Sequence, residues 1–347
     1  MDKLRLGIAG MGIGAAVHLP VFLSMPGVTV EGVAARRYEK AAEVARRFGV
    51  PRAFGSAVEL LDIDLDAIVL ALPPDANADA AQLAVQRQLA IFAEKPLAGT
   101  ARAAERLAQT SAGLVTMTDF QFAELTTVDE LKRQLSASVI GKLRCVNVAW
   151  LTESWAHKSG QWHWKLSSDH RGGVMSMLGS HLLYLVEHLL GKIDVIEATC
   201  LNAANRALAP AGATAAEDTA LIHIRLINGL SVSVNVSNAA HNASIHRWEL
   251  VGDDGTLELV NRAADPVAGF TLLRRDQFGQ EFVLATENVS EGVDSRSAPF
   301  RRMAQRFVDG VRTGAAVYPN FLAGARVQQL LEVVSASSRS GKPVRVP

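Results

Sequence analysis

The chain has 347 residues, 49% hydrophobic and 20% charged, the ordinary mix of a globular protein long enough for two cores. Lys+Arg and Asp+Glu number 35 each, and the zero net charge argues against nucleic acid as a partner. Cys145 and Cys200 lie far apart with no Cys-x-x-Cys pair, which disfavours a thiolate metal site, and no apolar run approaches the ~20 residues of a membrane span, so a cytoplasmic protein is expected.

Strand and helix patterns alternate through the first third. Leu4–Ala9 reads as strand, Ala15–Met25 as helix, Val28–Ala34 as strand and Glu39–Phe48 as helix. The continuously apolar Asp66–Leu72 reads as a buried parallel strand, Ala76–Leu89 as helix and Ala90–Ala93 as another buried strand. Thr100–Ser111 is a helix that Thr100 can cap, and Leu114–Thr118 is a final strand. This is a doubly wound parallel sheet of Rossmann type. From Gly141 the pattern changes to alternating runs: Leu143–Leu151, Val195–Leu201, Thr219–Ile227, Leu230–Ser237, His246–Val251 and Thr256–Val260. Asn228-Gly229 signals a type I′ hairpin. Helices are expected at Leu131–Ala137, Met177–Leu190, Pro299–Val311 and Phe321–Ser338, and a mobile loop at Ala203–Ala216. The fold class is α/β, with a nucleotide-binding domain over 1–118 and an α+β domain with an open, mostly antiparallel sheet over 119–347.

The first strand runs into Gly10-Met11-Gly12-Ile13-Gly14-Ala15. Gly10 allows the sharp turn, Gly12 lets the backbone approach a pyrophosphate, and Ala15 lets the helix pack closely on the sheet. At the end of the second strand, where an acid would hold a ribose 2′-hydroxyl, stands Ala35, followed by Arg36 and Arg37. Two guanidinium groups and no carboxylate suit a 2′-phosphate, so NADP is the expected cofactor, with NAD the alternative if the arginines only decorate a helix start. Glu94-Lys95-Pro96 follows the strand Ala90–Ala93. A lysine there can stabilise and protonate the oxygen on which charge develops during hydride transfer to a carbonyl.

In order along the chain, Gly10-x-Gly12-x-x-Ala15-x-x-His18, Pro73-Pro74, Glu94-Lys95-Pro96, Gly141-Lys142-Leu143, Gly172-Gly173, Gly179-x-His181, Glu217-Asp218 and Ser338-x-x-Gly341 resemble the Gfo/Idh/MocA oxidoreductase family from end to end. The resemblance implies hydride transfer at C4 of a nicotinamide, to or from a carbon of a sugar, cyclitol or related small molecule. It implies cofactor contacts at Gly10, Gly12, Ala15, Pro73, Pro74 and Glu94, catalysis by Lys95 with His181, and a cis bond before Pro96. It also implies a homodimer or homotetramer joined through the C-terminal sheet.

The chain departs from that pattern in places. Met177 stands where the family carries an acid four residues before the histidine, and Tyr184 where a second acid follows by three. Tyr184 shares a helix face with His181 and can donate a proton, or it is a half-buried packing residue. Asn77 replaces a histidine after the prolines and keeps hydrogen-bonding capacity toward substrate. Trp155, Trp162 and Trp164, among His157, His163 and His170, offer flat faces to a sugar ring or cover a sheet edge. Those histidine spacings fit no zinc pattern, and no metal is expected. The competing function is a non-catalytic nicotinamide-nucleotide-binding regulator or partner protein, motivated by Met177. Glycoside cleavage by transient oxidation is a third reading.

Overall fold

The computed structural model describes residues 3–289 and 292–347. The chain forms two compact units, Met1–Gln121 with Gly292–Gln328, and Phe122–Glu291 with Gln329–Pro347. A single boundary at 118 does not capture the return of 292–328 to the first unit. The cause is the amphipathic helix Ser297–Thr313, which buries Phe300, Met303, Phe307 and Val308 in the same apolar cluster as Leu6, Ile8, Phe22 and Phe92. That is a long-range contact, invisible to local periodicity.

In the first unit, β1 (Leu4–Ala9), β2 (Val28–Ala34), β3 (Ala53–Phe54), β4 (Ala67–Leu70), β5 (Ala90–Ala93) and β6 (Thr116–Thr118) form one sheet in the order β3-β2-β1-β4-β5-β6. Every pairing is parallel. β4 and β5 are buried at all four positions, as strands covered on both faces must be. The strand order reverses between β1 and β4, where a doubly wound sheet opens a crevice at its carboxyl edge. Onto that edge the chain delivers Gly10, Ala35, Glu94 and Asp119, each just beyond its strand. Thr100 caps the helix Ala101–Thr110 by accepting from the Ala103 N–H at 3.2 Å, as expected. β3 and the short helix Ala57–Leu61 were not anticipated; two residues are too few for a period to show.

In the second unit, β7 (Leu143–Glu153), β8 (Ile193–Leu201), β9 (Thr219–Leu226), β10 (Ser231–Ser237), β11 (Ala239–Gly252), β12 (Gly255–Asn261), β13 (Thr271–Asp276), β14 (Glu281–Thr286) and β15 (Val344–Arg345) form a second sheet. Its order is β14-β13-β12-β11-β7-β10-β9-β8-β15. All neighbours are antiparallel except β10 and β7, which run parallel, so the sheet is mixed. Along β9, Ala220, Ile222, Ile224 and Leu226 are buried while Leu221, His223 and Arg225 face outward. That alternation is the mark of a sheet covered on one face only.

Two local expectations are corrected. The β9–β10 hairpin forms, but only Gly229 of the Asn228-Gly229 pair takes a positive φ, +84°. Gly229 N–H donates to the Leu226 carbonyl and Asn228 Oδ1 accepts from Leu230 N–H, so the turn is a three-residue loop with glycine in the left-handed position instead of type I′. Ala203–Ala216 contains a helix, Ala203–Leu208, because the Asp218 carboxylate accepts from the Ala204 and Asn205 N–H groups at 2.9 and 3.0 Å. A cap supplied from ten or more residues downstream leaves no local signature.

Candidate active site

The glycine-rich turn is shaped as its sequence requires. Gly10 has φ +102°, and a Cβ there would overlap the Ala71 carbonyl, so only glycine fits. At Gly12 a Cβ would meet open space, leaving the backbone accessible to a ligand phosphate. The expected helix Ala15–Met25 instead begins as a π-helical turn, Gly14–His18, followed by a short α-helix, Leu19–Leu23. Arg36 and Arg37 are exposed, and Arg37 stands at the N-cap of the helix Tyr38–Phe48. Pro73 is the exposed N-cap of the helix Pro74–Gln86, and Pro74 is its buried first residue. The Lys95–Pro96 bond is cis, as the resemblance implied.

Behind Lys95 lies a cluster of charge that sequence reading did not assemble. His18 is fully buried, and its Nε2 lies 3.3 Å from Glu94 Oε1 and 3.4 Å from Asp119 Oδ2. Its ring stacks on Phe300 at 4.3 Å and meets the edge of Phe92 at 6.0 Å. The other oxygen of Glu94, Oε2, accepts from the Lys95 backbone N–H at 3.2 Å, and Asp119 Oδ1 accepts from Gln121 N–H at 3.1 Å. Asn77 is fully buried and donates from Nδ2 to the Glu94 carbonyl at 3.1 Å, so it clamps the turn that carries Lys95.

The protonation of these groups follows from that geometry. Burial pushes the His18 imidazole down, but Asp119 and Glu94 outweigh it and raise it to about 9. Burial, with repulsion from Glu94, lifts Asp119 to about 6 against the pull of His18. Burial lifts Glu94 as well, yet His18 and then Lys95 prevail and hold it below the usual range. Near neutral pH the cluster is therefore an imidazolium between two carboxyl groups. Its ligand atoms all lie within 4.8 Å of one another, a spacing that would also admit a cation. The imidazolium already supplies the positive charge, and the expectation of no metal is carried forward. In the sequence His18 stands out only as a motif position and Asp119 as the first residue of the expected second domain; the place of Asp119 just past a buried strand is the available signal.

In the second unit, Gly173 (φ +105°) packs against the Glu217 carboxylate, which accepts from Met175 N–H at 3.1 Å. Burial raises the Glu217 carboxyl. This junction starts a second π-helical turn, Met175–Gly179, which carries Met177 and leads into the helix Ser180–Leu190. His181 is buried, its ring 4.9 Å from Phe122 and 6.4 Å from Trp150. Tyr184 is buried and stacks on His188 at 5.6 Å, so the two side chains have different ring partners. Sequence reading missed His246. Buried against Trp150 at 4.0 Å, it accepts from Trp248 Nε1 at 3.0 Å, and burial holds it neutral, with a midpoint of about 3.

Trp155 is exposed, Trp162 and Trp164 half-buried, and the rings of Trp155, His163 and Trp164 form a chain of edge and tilted contacts. The open face of β7–β10 holds a shallow hollow of about 510 Å³, with Leu221, His223, Asn235, Glu197 and Arg247 among its lining. Among the described residues no helix is long and apolar enough to cross a membrane.

Comparison with known proteins decides the family. The description "Oxidoreductase family, NAD-binding Rossmann fold" matches residues 4–117, and "Oxidoreductase family, C-terminal alpha/beta domain" matches residues 132–346. The chain belongs to the Gfo/Idh/MocA oxidoreductase family. A Gfo/Idh/MocA relative from Streptomyces violaceoruber, dTDP-3,4-didehydro-2,6-dideoxy-alpha-D-glucose 3-reductase, is 27% identical over 312 residues, covering 87% of this chain and 86% of its own. D-xylose 1-dehydrogenase (NADP(+)) 2 of Haloferax volcanii is 25% identical over 350 residues, 98% of each chain. A solved structure of levoglucosan dehydrogenase in complex with NADH and levoglucosan superposes with a TM-score of 0.87 over 100% of both chains at 20% identity, a likeness of fold. As a member of this family, the protein is an oxidoreductase with an NAD-binding Rossmann domain.

Proposed function

We propose that this protein is an NADP-preferring dehydrogenase or reductase acting on a carbonyl or hydroxyl carbon of a sugar-like or cyclitol small molecule. The observation that carries the cofactor preference is the end of β2, where Ala35 leaves no carboxylate and Arg36 and Arg37 are exposed. Gly10, Gly12 and Ala15 would hold the pyrophosphate: the turn is made, and the backbone at Gly12 is open. Pro73 and Pro74 shape the crevice beside the nicotinamide. The cofactor, when bound, supplies or accepts the hydride at C4.

Lys95 stands two residues beyond β5, at the carboxyl edge of the parallel sheet. Its ammonium stabilises the charge that develops on the substrate oxygen and gives it the proton from Nζ. With Met177 in place of an acid, that proton falls to Lys95, with His181 orienting substrate and Tyr184 assisting. Trp155, Trp162 and Trp164 present ring faces suited to a sugar. Relatives named for sugar substrates support the substrate class. The open face of the second sheet, with Leu221 47% exposed at its hollow, is assigned to a homo-oligomer contact.

Calorimetric titration with NADPH and NADH tests the reading. Tight NADPH and much weaker NADH binding is expected, whereas tighter NADH binding reduces Arg36 and Arg37 to surface charge. Binding of neither by ligand-free protein would overturn the proposal.

A further inference from the structure

Three ionisable side chains meet at the carboxyl edge of the parallel sheet; His18 and Asp119 have no part in the reaction above, and Glu94 enters it only as an expected cofactor contact. His18, Glu94 and Asp119 come from three separate segments and converge on one point, in a place where apolar packing would cost less than charge. His18 is wedged between Phe300 and Phe92; neither buried ring nitrogen makes a hydrogen bond of good geometry, and Nε2 alone lies within ion-pair distance of the two carboxylates. A buried imidazole left half-satisfied needs a reason. The geometry supplies one, because Glu94 joins the cluster directly to the neighbouring lysine: Oε1 faces His18 while Oε2 holds the Lys95 backbone N–H.

We propose that His18, Glu94 and Asp119 form a positioning cluster for Lys95. The imidazolium, held between two carboxyl groups, keeps Glu94 ionised, and ionised Glu94 fixes the Lys95 backbone and keeps its ammonium charged. This inference rests on the assignment of Lys95 as proton donor and gives that site a direction: a lysine held charged is set to protonate an oxygen, as carbonyl reduction requires. Among the described residues, the largest charge effects on the cluster come from its own three members and Lys95. Phe92 and Phe300, which cover the imidazole, carry no charge. The contribution is electrostatic and acts through Lys95; none of the three is placed on the substrate.

Nitrogen-15 NMR of the imidazoles in the ligand-free protein, with the His18 signals assigned by their loss in His18→Gln, tests the first half without any substrate. Both His18 nitrogens are expected at imidazolium shifts at about pH 7.5, with a midpoint at least about one unit above the ordinary ~6.5. A neutral His18 at that pH overturns the proposal. Carbon-13 labelling at lysine Cε, with Lys95 assigned through Lys95→Arg, tests the second half. In folded Glu94→Gln the Lys95 midpoint is expected to fall by about one unit, a tenfold loss of proton affinity. An unchanged midpoint overturns the link between Glu94 and Lys95. Retention of one equivalent of a divalent ion through dialysis against chelator also overturns it, by making the cluster a metal site. Because none of these readouts uses turnover, they stand or fall separately from the hydride-transfer reading, which cofactor titration and Lys95→Met turnover decide.

Discussion

Replacing Asp119 by asparagine removes a carboxyl group that is 1% exposed and whose midpoint the fold raises from 3.8 to about 6, chiefly by burial and then by repulsion from Glu94. A group whose folded midpoint lies above its unfolded one adds stability below the unfolded value and loses it as pH rises through the folded value. Wild-type stability therefore carries a term that declines up to about pH 6, and Asp119→Asn lacks it. Between about pH 4.5 and the folded midpoint the span is about 1.5 units, which at 1.36 kcal/mol each is about 2 kcal/mol. In the wild type His18 stays protonated in both states below its unfolded midpoint of 6.5 and adds nothing to this window. At an unfolding entropy of about 2.1 cal/mol/K per residue, 1 kcal/mol moves the Tm of a 347-residue chain by roughly 1.4 °C, so the Tm of Asp119→Asn relative to wild type should rise by about 3 °C between about pH 4.5 and about pH 6.5. Thermal melts by circular dichroism, run on both proteins at each pH, cancel the shared groups that Asp119 does not touch, and the NMR midpoint of His18 in each protein supplies the remainder. Two Tm curves that stay parallel across the window would refute the argument, because they would show that Asp119 titrates alike in both states.

Other substitutions address other links of the chain from sequence to function. Lys95→Met should leave NADPH affinity unchanged in calorimetry and lower single-turnover hydride transfer by about 10²–10⁴-fold, the range for losing a positioned proton donor. Gly10→Ala puts a Cβ against the Ala71 carbonyl at a φ of +102°, and should cost at least about 1–3 kcal/mol in denaturant melts and weaken cofactor binding with it.

Much of the first unit was legible because its strands are short apolar runs between helical periods. The pattern at Asp66–Leu72 and Ala90–Ala93 admits few folds other than a covered parallel sheet. The Gly10 turn and the cap at Thr100 were legible for a similar reason: each is a local device whose residues lie within a few positions of the groups they serve. β3 fell below the length at which a period can be seen, and the Ala203–Leu208 helix owes its start to Asp218, which its own residues do not announce.

The amino-acid sequence by itself determined the parallel sheet, the glycine turn, the position of Lys95 past β5 and the alternation that leaves one face of the second sheet open, because short-range sterics and hydrophobic period set all of these. Only the tertiary structure decided that the helix Ser297–Thr313 returns to cover the first unit, and that His18, Glu94 and Asp119 share one buried point behind Lys95. His18 and Asp119 lie a hundred residues apart and look unremarkable where they stand. Their proximity is set by parallel strands ending at a common edge, and their charge states by the loss of water there, neither of which a local stretch of sequence contains.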